Sequence, residues 1–86
     1  MNSKERVSII QERLQKAFEP AELKIIDDGK EHVGHAGSKD GAGHYTVLIS
    51  SENFKEKTRV EIHREIYNVL NDLIPQEIHA LRIKVI

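Results

Sequence analysis

The sequence predicts a single α+β domain in which helices cover one face of a three-stranded mixed sheet. The first observation is length, because 86 residues supply enough apolar side chains for one core and not for two. The second is the order of segments, in which helical patterns flank a pair of strands that a loop connects. The third is the helical segment before the last strand, which allows the second and third strands to run parallel. We assign residues 1–86 to one domain with the order α-β-β-α-α-β.

A capping box and a helical spacing of apolar residues predict the first helix. Asn2 is followed three residues later by Glu5, an arrangement that satisfies the free N–H groups at a helix start. Apolar residues then recur at helical spacing, at Val7, Ile10, Leu14, Ala17 and Phe18. Pro20 ends this helix, and the aliphatic residues 23–27 predict the first strand.

The segment 28–43 contains all five glycines of the protein. Glycine weakens regular structure, so this segment is predicted to be a loop. It is longer than an ordinary hairpin connection, and long loops in compact domains are typically functional or disordered. Residues 44–50 predict the second strand, with Tyr45, Val47 and Ile49 on one face.

The second half of the chain predicts a helical turn, a longer helix and a last strand. Residues 51–54 form the turn, and the Ser50–Ser51 pair caps it. Thr58 and Glu61 form a second capping box. The apolar stripe of the helix that follows is Ile62, Ile66, Val69, Leu70 and Leu73, and Pro75 ends it. In the final strand, 77–86, the period of two places His79 on the buried face with Leu81, Ile83 and Val85.

Composition excludes several classes of function. The chain has no cysteine, which excludes disulfides, cysteine nucleophiles and thiolate metal sites of its own. A net charge of −1 gives no general attraction to nucleic acid or to anionic membranes. No run of 18 apolar residues is present and the first residues lack the apolar core of a secretory signal, so we expect a cytoplasmic protein without a membrane span. Nucleophile-elbow, phosphate-loop and H-E-x-x-H motifs are absent, and we expect binding and not catalysis.

Three histidines are candidates for binding. His32 and His35 form an H-x-x-H pair in the glycine-rich segment, a spacing that brings two imidazoles to one metal if the loop folds suitably. Zinc sites usually need three or four protein ligands, so this signal alone is weak. For His79 the residues leave two interpretations open: an imidazole packed at the edge of the core, which residue statistics favour, or a ligand held on a rigid strand.

Three stretches together resemble the BolA family: G-H-Y-T-V-L-I-S at 43–50, H-R-E-I-Y-N-V-L at 63–70 and E-I-H-A-L at 77–81. Their order and spacing match, and the resemblance covers nearly the whole chain. The family usually has Arg-His-Arg at the long helix, where this chain has Ile62-His63-Arg64. The role of the first arginine is therefore unfilled here.

The resemblance implies a fold related to type II KH domains and a complex with a monothiol glutaredoxin that shares a [2Fe–2S] cluster. In that complex His79 would be one ligand and a residue of the glycine-rich segment the other. The family pattern places His32 at this second position, with His35 as the alternative. The glutaredoxin cysteine and glutathione would supply thiolates. We expect no cofactor on the isolated protein, which we expect to be a monomer.

The resemblance also implies a second function, because family members are described as DNA-binding transcriptional regulators. The candidate contacts lie around the long helix, with two more on the last strand: Lys55, Lys57, Arg59, His63, Arg64, Arg82 and Lys84. The two functions are compatible, since a cluster complex can regulate DNA binding.

Overall fold

The structure is a computed structural model that describes residues 2–28 and 43–86. It contains two α-helices, three strands and two short 3₁₀ turns within these ranges: α1 (Ser3–Phe18), β1 (Glu22–Asp27), β2 (Gly43–Ser50), a turn at Glu52–Phe54, α2 (Arg59–Val69), a turn at Asn71–Leu73 and β3 (Ile78–Val85). The α+β class is confirmed. The predicted α-β-β-α-α-β order is confirmed with one correction, because the segment after β2 is a single 3₁₀ turn and not an α-helix.

The first helix begins at the predicted cap. Asn2 accepts a hydrogen bond from the backbone N–H of Glu5 at 2.8 Å. The buried face of α1 consists of Arg6, Ile10, Leu14 and Phe18. Ala17, predicted on the apolar stripe, is exposed. None of the helices in the described part of the chain is long and apolar enough to cross a membrane.

The 3₁₀ turn after β2 closes the end of α1. Ser51 accepts from the backbone N–H of Asn53, so the predicted serine cap is confirmed. The Ser51 hydroxyl and the Asn53 amide donate to the Phe18 carbonyl at 2.7 and 2.9 Å. Both donors satisfy a carbonyl that a helix end leaves without an intrahelical partner. The Phe18 and Phe54 rings pack beneath this contact with their centroids 5.2 Å apart.

The sheet is mixed, as predicted, with the order β1-β2-β3. β1 pairs antiparallel with β2, so that Ile25 lies opposite Val47. β2 pairs parallel with β3, so that Val47 also lies opposite Ile83. The central strand therefore carries the middle of the core on its inner face, where Tyr45 and Ile49 are buried beside Val47.

A β-bulge at the start of β3 overturns the predicted face of His79. Gly43 pairs with Ile78 and His44 pairs with Ala80, so one residue of β3 is left without an opposite partner. An extra residue in one strand inverts the alternation of all residues before it. Ile78 therefore joins the inner face and is 1% exposed, whereas His79 is exposed. The prediction that His79 shares the buried face of Leu81, Ile83 and Val85 is wrong.

The second helix has the predicted capping box and ends earlier than predicted. Thr58 accepts from the backbone N–H of Glu61, whose carboxylate accepts from the backbone N–H of Thr58. α2 ends at Val69, and Leu73 packs into the core from the following 3₁₀ turn. The Tyr67 hydroxyl donates to the Leu81 carbonyl at 2.8 Å and ties α2 to β3.

Both helices cover the inner face of the sheet, and the predicted one-sided layer is confirmed. The core joins α1, α2 and the inner side chains of β2 in one cluster. Within the described residues the other face of the sheet carries exposed side chains on both outer strands, among them Lys24, Ile26, Arg82 and Lys84. No helix covers them in that part of the chain.

Candidate functional site

The imidazole rings of His44 and His79 lie next to each other at the first residues of β2 and β3. Their centroids are 5.2 Å apart and their planes are inclined by 42°. His79 is exposed and His44 is half-buried. The bulge produces this contact, because it turns His79 to the outer face on which His44 already lies.

Backbone hydrogen bonding fixes the two strands beside this pair. The Gly43 N–H donates to the Glu77 carbonyl at 3.0 Å, immediately before the bulge. A side chain at position 43 has no room, since a β-carbon there would overlap the outer atoms of the Tyr45 ring. Position 43 therefore requires glycine because the Tyr45 ring approaches the backbone closely, and not because of a special backbone angle.

The Tyr45 ring lies on the inner face at this end of the sheet, and its hydroxyl contacts Ser3 of α1. It is 1% exposed. Its hydroxyl lies 3.1 Å from Ser3 Oγ, and the Ser3 hydroxyl donates to the carboxylate of Asp27. The neighbouring carboxylate of Asp28 instead accepts from the hydroxyl of Thr46. Asp27, the last residue of β1, and Asp28, which follows the strand, therefore have different hydroxyl partners.

His44 is the site residue that the sequence prediction missed. The prediction placed Tyr45, Val47 and Ile49 inward, which already puts His44 on the outer face. It also allowed β2 and β3 to be parallel, and parallel neighbours begin at the same edge of a sheet. His44 and His79 each stand near the beginning of such a strand. The signal was therefore present, but the bulge that brings the rings to one face was not predictable from one strand alone.

The arrangement presents two imidazoles and no thiol. Neutral imidazole is a common ligand of zinc, copper, iron and nickel. No group of three or more His, Cys, Asp or Glu residues close enough to hold a metal is found in residues 2–28 and 43–86. The predicted loop ligands His32 and His35 lie outside the described residues. Their assignment as the second ligand, His32 with His35 as the alternative, therefore stays a prediction.

Two of the candidate DNA contacts around α2 form ion pairs with glutamate side chains. Lys57 Nζ lies 2.8 Å from Glu65 Oε1, and Lys55 Nζ lies 3.3 Å from Glu52 Oε2. Arg59 and Arg64 are exposed and take part in none of the ion pairs formed within the described residues, and His63 is half-buried. Two of the four Lys and Arg residues predicted as contacts around α2 are thus paired with carboxylates.

Glu61 adds a further fixed negative charge at the start of α2. The backbone N–H and the hydroxyl of Thr58 both donate to Glu61 Oε1, at 3.2 and 3.0 Å. These hydrogen bonds lower the pKa of Glu61 below its usual value. A phosphate group approaching Arg64 would therefore meet an ionised carboxylate beside it.

The open face of the sheet carries the other predicted cations. Arg82 lies opposite Thr46, and Lys84 lies opposite Leu48 in the β2–β3 register. Lys24 lies on the far side of Leu48, in the β1–β2 register. All three cationic residues are exposed. This face therefore has a basic row whose cations lie on the two outer strands, β1 and β3.

Comparisons with known proteins agree with the family resemblance. The family described as BolA-like protein matches residues 14–86. Protein BOLA1, chloroplastic, of Arabidopsis thaliana is 41% identical over 81 residues, which cover 91% of this chain and 51% of that relative. The DNA-binding transcriptional regulator BolA of Haemophilus influenzae is 36% identical over 73 residues, which cover 85% of this chain and 68% of that relative. The solved structure of BolA1 from Arabidopsis thaliana matches with a TM-score of 0.80 and 38% identity, covering 93% of this chain and 88% of that one.

The relatives are longer than this chain. It spans about half the length of the chloroplastic relative, 51%. The structural match confirms the α+β fold with its mixed three-stranded sheet. The relation to type II KH domains stays a prediction.

Proposed function

Because the chain belongs to the BolA family, we propose that it binds a monothiol glutaredoxin and supplies His79 as a ligand to a [2Fe–2S] cluster that the two proteins share. His32, or else His35, supplies the second imidazole, and the glutaredoxin cysteine and glutathione supply thiolates. The function is cluster transfer or iron and redox regulation. The chain acts by binding and not as an enzyme.

The observation that carries this proposal is the exposed imidazole of His79 at the bulge. A side chain that binds a cluster shared between two proteins has to be accessible to the partner protein. An imidazole on the buried face of the sheet would not be accessible. The bulge turns His79 outward, while the flanking backbone stays paired with β2 on both sides. The residue before the bulge, Ile78, is buried and anchors the strand. A ring attached to a rigid strand is a better-positioned ligand than one on a flexible segment.

The chemistry of the donor set fits the proposed cluster. Iron–sulfur clusters accept imidazole as well as thiolate ligands, and imidazole on one iron raises the reduction potential of a [2Fe–2S] cluster. This chain offers histidines and has no cysteine. It therefore depends on a thiolate-bearing partner to complete four ligands. That dependence favours a shared cluster over one held by this chain alone.

Visible circular dichroism tests the proposal. The full chain is mixed with a cluster-loaded monothiol glutaredoxin and glutathione, and we expect a spectrum different from that of the glutaredoxin alone. His79→Ala should remove the difference, and His63→Ala, on α2, is the matched control that should retain it. His32→Ala and His35→Ala, measured separately, identify the second ligand. An identical spectrum from the wild type and His79→Ala contradicts the ligand assignment.

A second candidate function is DNA binding. The relative from Haemophilus influenzae is named a DNA-binding transcriptional regulator. Arg59 and Arg64 on α2 and the basic row of Lys24, Arg82 and Lys84 on the open sheet face are the exposed cations that support it. Lys55 and Lys57 contribute less, because Glu52 and Glu65 already neutralise them.

Titration with duplex DNA at two salt concentrations tests this candidate and locates its surface. The salt dependence of the affinity becomes shallower by about 0.9 in slope for each phosphate that the protein no longer neutralises. Arg59→Gln/Arg64→Gln should reduce the slope if α2 contacts DNA, and Arg82→Gln/Lys84→Gln should reduce it if the open sheet face does. Absence of binding by the wild type at low salt rules out the DNA candidate.

A further inference from the structure

We propose that His44 and His79 together form a two-imidazole site for a divalent transition metal such as Zn²⁺, which this chain binds without a partner protein. The site shares His79 with the donor set of the proposed shared cluster and differs from it in its second ligand, because it uses His44 and needs neither His32 nor His35. It does not depend on the glutaredoxin function.

The distance between the two rings fits a common metal. A tetrahedral zinc ion with nitrogen ligands at about 2.0–2.1 Å holds the centres of two imidazoles roughly 5 Å apart. The observed separation is 5.2 Å. The planes are inclined by 42°, so the rings are not a parallel stack. Metal binding then requires only that the two side chains rotate so that one nitrogen of each ring faces the same ion; the ring centres need not move apart or together.

The backbone prepares this arrangement before any metal binds. His44 and His79 belong to neighbouring strands that pair in parallel, and the bulge puts both rings on the outer face. In the β2–β3 register Ala80, and not His79, lies opposite His44, so His79 is the extra residue of the bulge. Ligands preorganised in this way lose little conformational entropy on binding.

The donor set selects the class of metal. Imidazole suits zinc, copper, iron and nickel, whereas magnesium and calcium require oxygen ligands. In residues 2–28 and 43–86 no third His, Cys, Asp or Glu completes a group with the pair that could hold a metal ion. Water then completes the coordination, and the affinity is lower than that of a zinc site with four protein ligands.

Isothermal titration calorimetry with zinc chloride on the isolated full chain tests the site. We expect one equivalent of Zn²⁺ to bind. His44→Gln and His79→Gln should each weaken binding about tenfold or more, which corresponds to at least about 1.4 kcal/mol. His63→Gln is the control with its histidine on α2, and His32→Gln/His35→Gln removes the glycine-segment pair; both should bind Zn²⁺ like the wild type. Magnesium chloride should give no binding heat.

Nitrogen-detected NMR of the histidine rings provides a second test that uses only the wild-type protein. In the wild type, Zn²⁺ should shift the ring signals of His44 and His79 together. A His44 ring that does not respond overturns the proposal, as does wild-type affinity in a folded His44→Gln protein or loss of binding in His32→Gln/His35→Gln. The glutaredoxin experiment can fail while this one succeeds, and the reverse, because no partner or cluster is present here.

Discussion

Arg6 Nε donates a hydrogen bond to Glu77 Oε1 across 3.0 Å, joining the first turn of α1 to the residue before β3. Arg6 is only 8% exposed. Burial lowers the pKa of its guanidinium, but hydrogen bonds to Glu77 and Tyr45 outweigh this effect and the pKa lies above its usual value. Since the Glu77 carbonyl also accepts from the Gly43 N–H, this contact links α1, β2 and β3 beside the histidine pair.

Removing either partner of this ion pair should destabilise the fold. We expect Arg6→Met and Glu77→Gln each to lower the free energy of unfolding by about 1–3 kcal/mol. Arg6→Met leaves the half-buried Glu77 carboxylate without its donor, and Glu77→Gln leaves the buried Arg6 guanidinium without its neutralising charge. The double variant should cost less than the sum of the two, which urea denaturation of all four proteins measures.

The exposed pair of Glu12 and Lys16 provides the control. Both side chains are more than half exposed, and their charged atoms are 3.2 Å apart. Exposed pairs add little to stability, so Glu12→Gln should leave the urea midpoint close to that of the wild type. Strict additivity of Arg6→Met and Glu77→Gln contradicts a direct energetic link between α1 and β3.

Gly43→Ala should be destabilising through one named contact. The added methyl group would overlap the Cε2, Cζ and Oη atoms of Tyr45, a ring that is 1% exposed. Forcing extra volume into a packed core typically costs about 1–3 kcal/mol. In a Tyr45→Leu background the overlapping atoms are absent, so the same change should cost less. Equal costs in the two backgrounds, measured by urea denaturation, would show that Tyr45 is not the cause.

The fold should lose stability in acid through Asp72 and Glu61. Hydrogen bonds from Arg13, one of them 2.8 Å long, lower the pKa of Asp72, and those from Thr58 lower the pKa of Glu61. The unfolded chain then binds more protons than the folded one, so the free energy of unfolding rises with pH across this window. The contribution is complete above the usual carboxyl pKa of about 4 and is lost as pH falls through the lowered values.

Urea denaturation between pH 2 and pH 6, a range of about two units on each side of the usual carboxyl pKa, measures this slope. Asp72→Asn/Glu61→Gln should flatten it, because neither replacement side chain titrates. Asn71→Gln, a change beside Asp72 that adds no titrating group, should leave the slope as in the wild type. A slope unchanged in the double variant would assign the acid sensitivity to other carboxyls.

The elements that the sequence predicted well are those that local residues determine. Caps form within one helical turn, and the predicted capping box of Thr58 with Glu61 is confirmed in full. At α1 Asn2 accepts from the Glu5 backbone N–H, which confirms one of the two hydrogen bonds of the box predicted there. The inner face of β2, with Tyr45, Val47 and Ile49, follows from the alternation of strand side chains, although Thr46 between them is also buried. Arg6 was missed on the buried face of α1 because its burial depends on Glu77, 71 residues away.

The candidate site was predictable only in part, for the same reason. His79 was chosen through the family resemblance, and its face was wrong because the bulge arises from pairing between β2 and β3. His44 was not chosen, because nothing in residues 44–50 alone indicates a neighbour on β3. The pairing of β2 with β3 thus determines which histidine rings come into contact, and the residue pattern of a single strand does not predict this pairing.

If both proposals hold, Zn²⁺ and the shared cluster compete for His79. Zinc added to the mixture of this chain with cluster-loaded glutaredoxin should reduce the visible circular dichroism signal of the complex, because His79 cannot be a ligand of both metals. His44→Gln weakens the zinc site and leaves the cluster ligands in place, so this variant should need about tenfold more zinc for the same loss. Direct attack of zinc on the cluster would affect both proteins equally, and an equal zinc dependence would therefore contradict competition at His79.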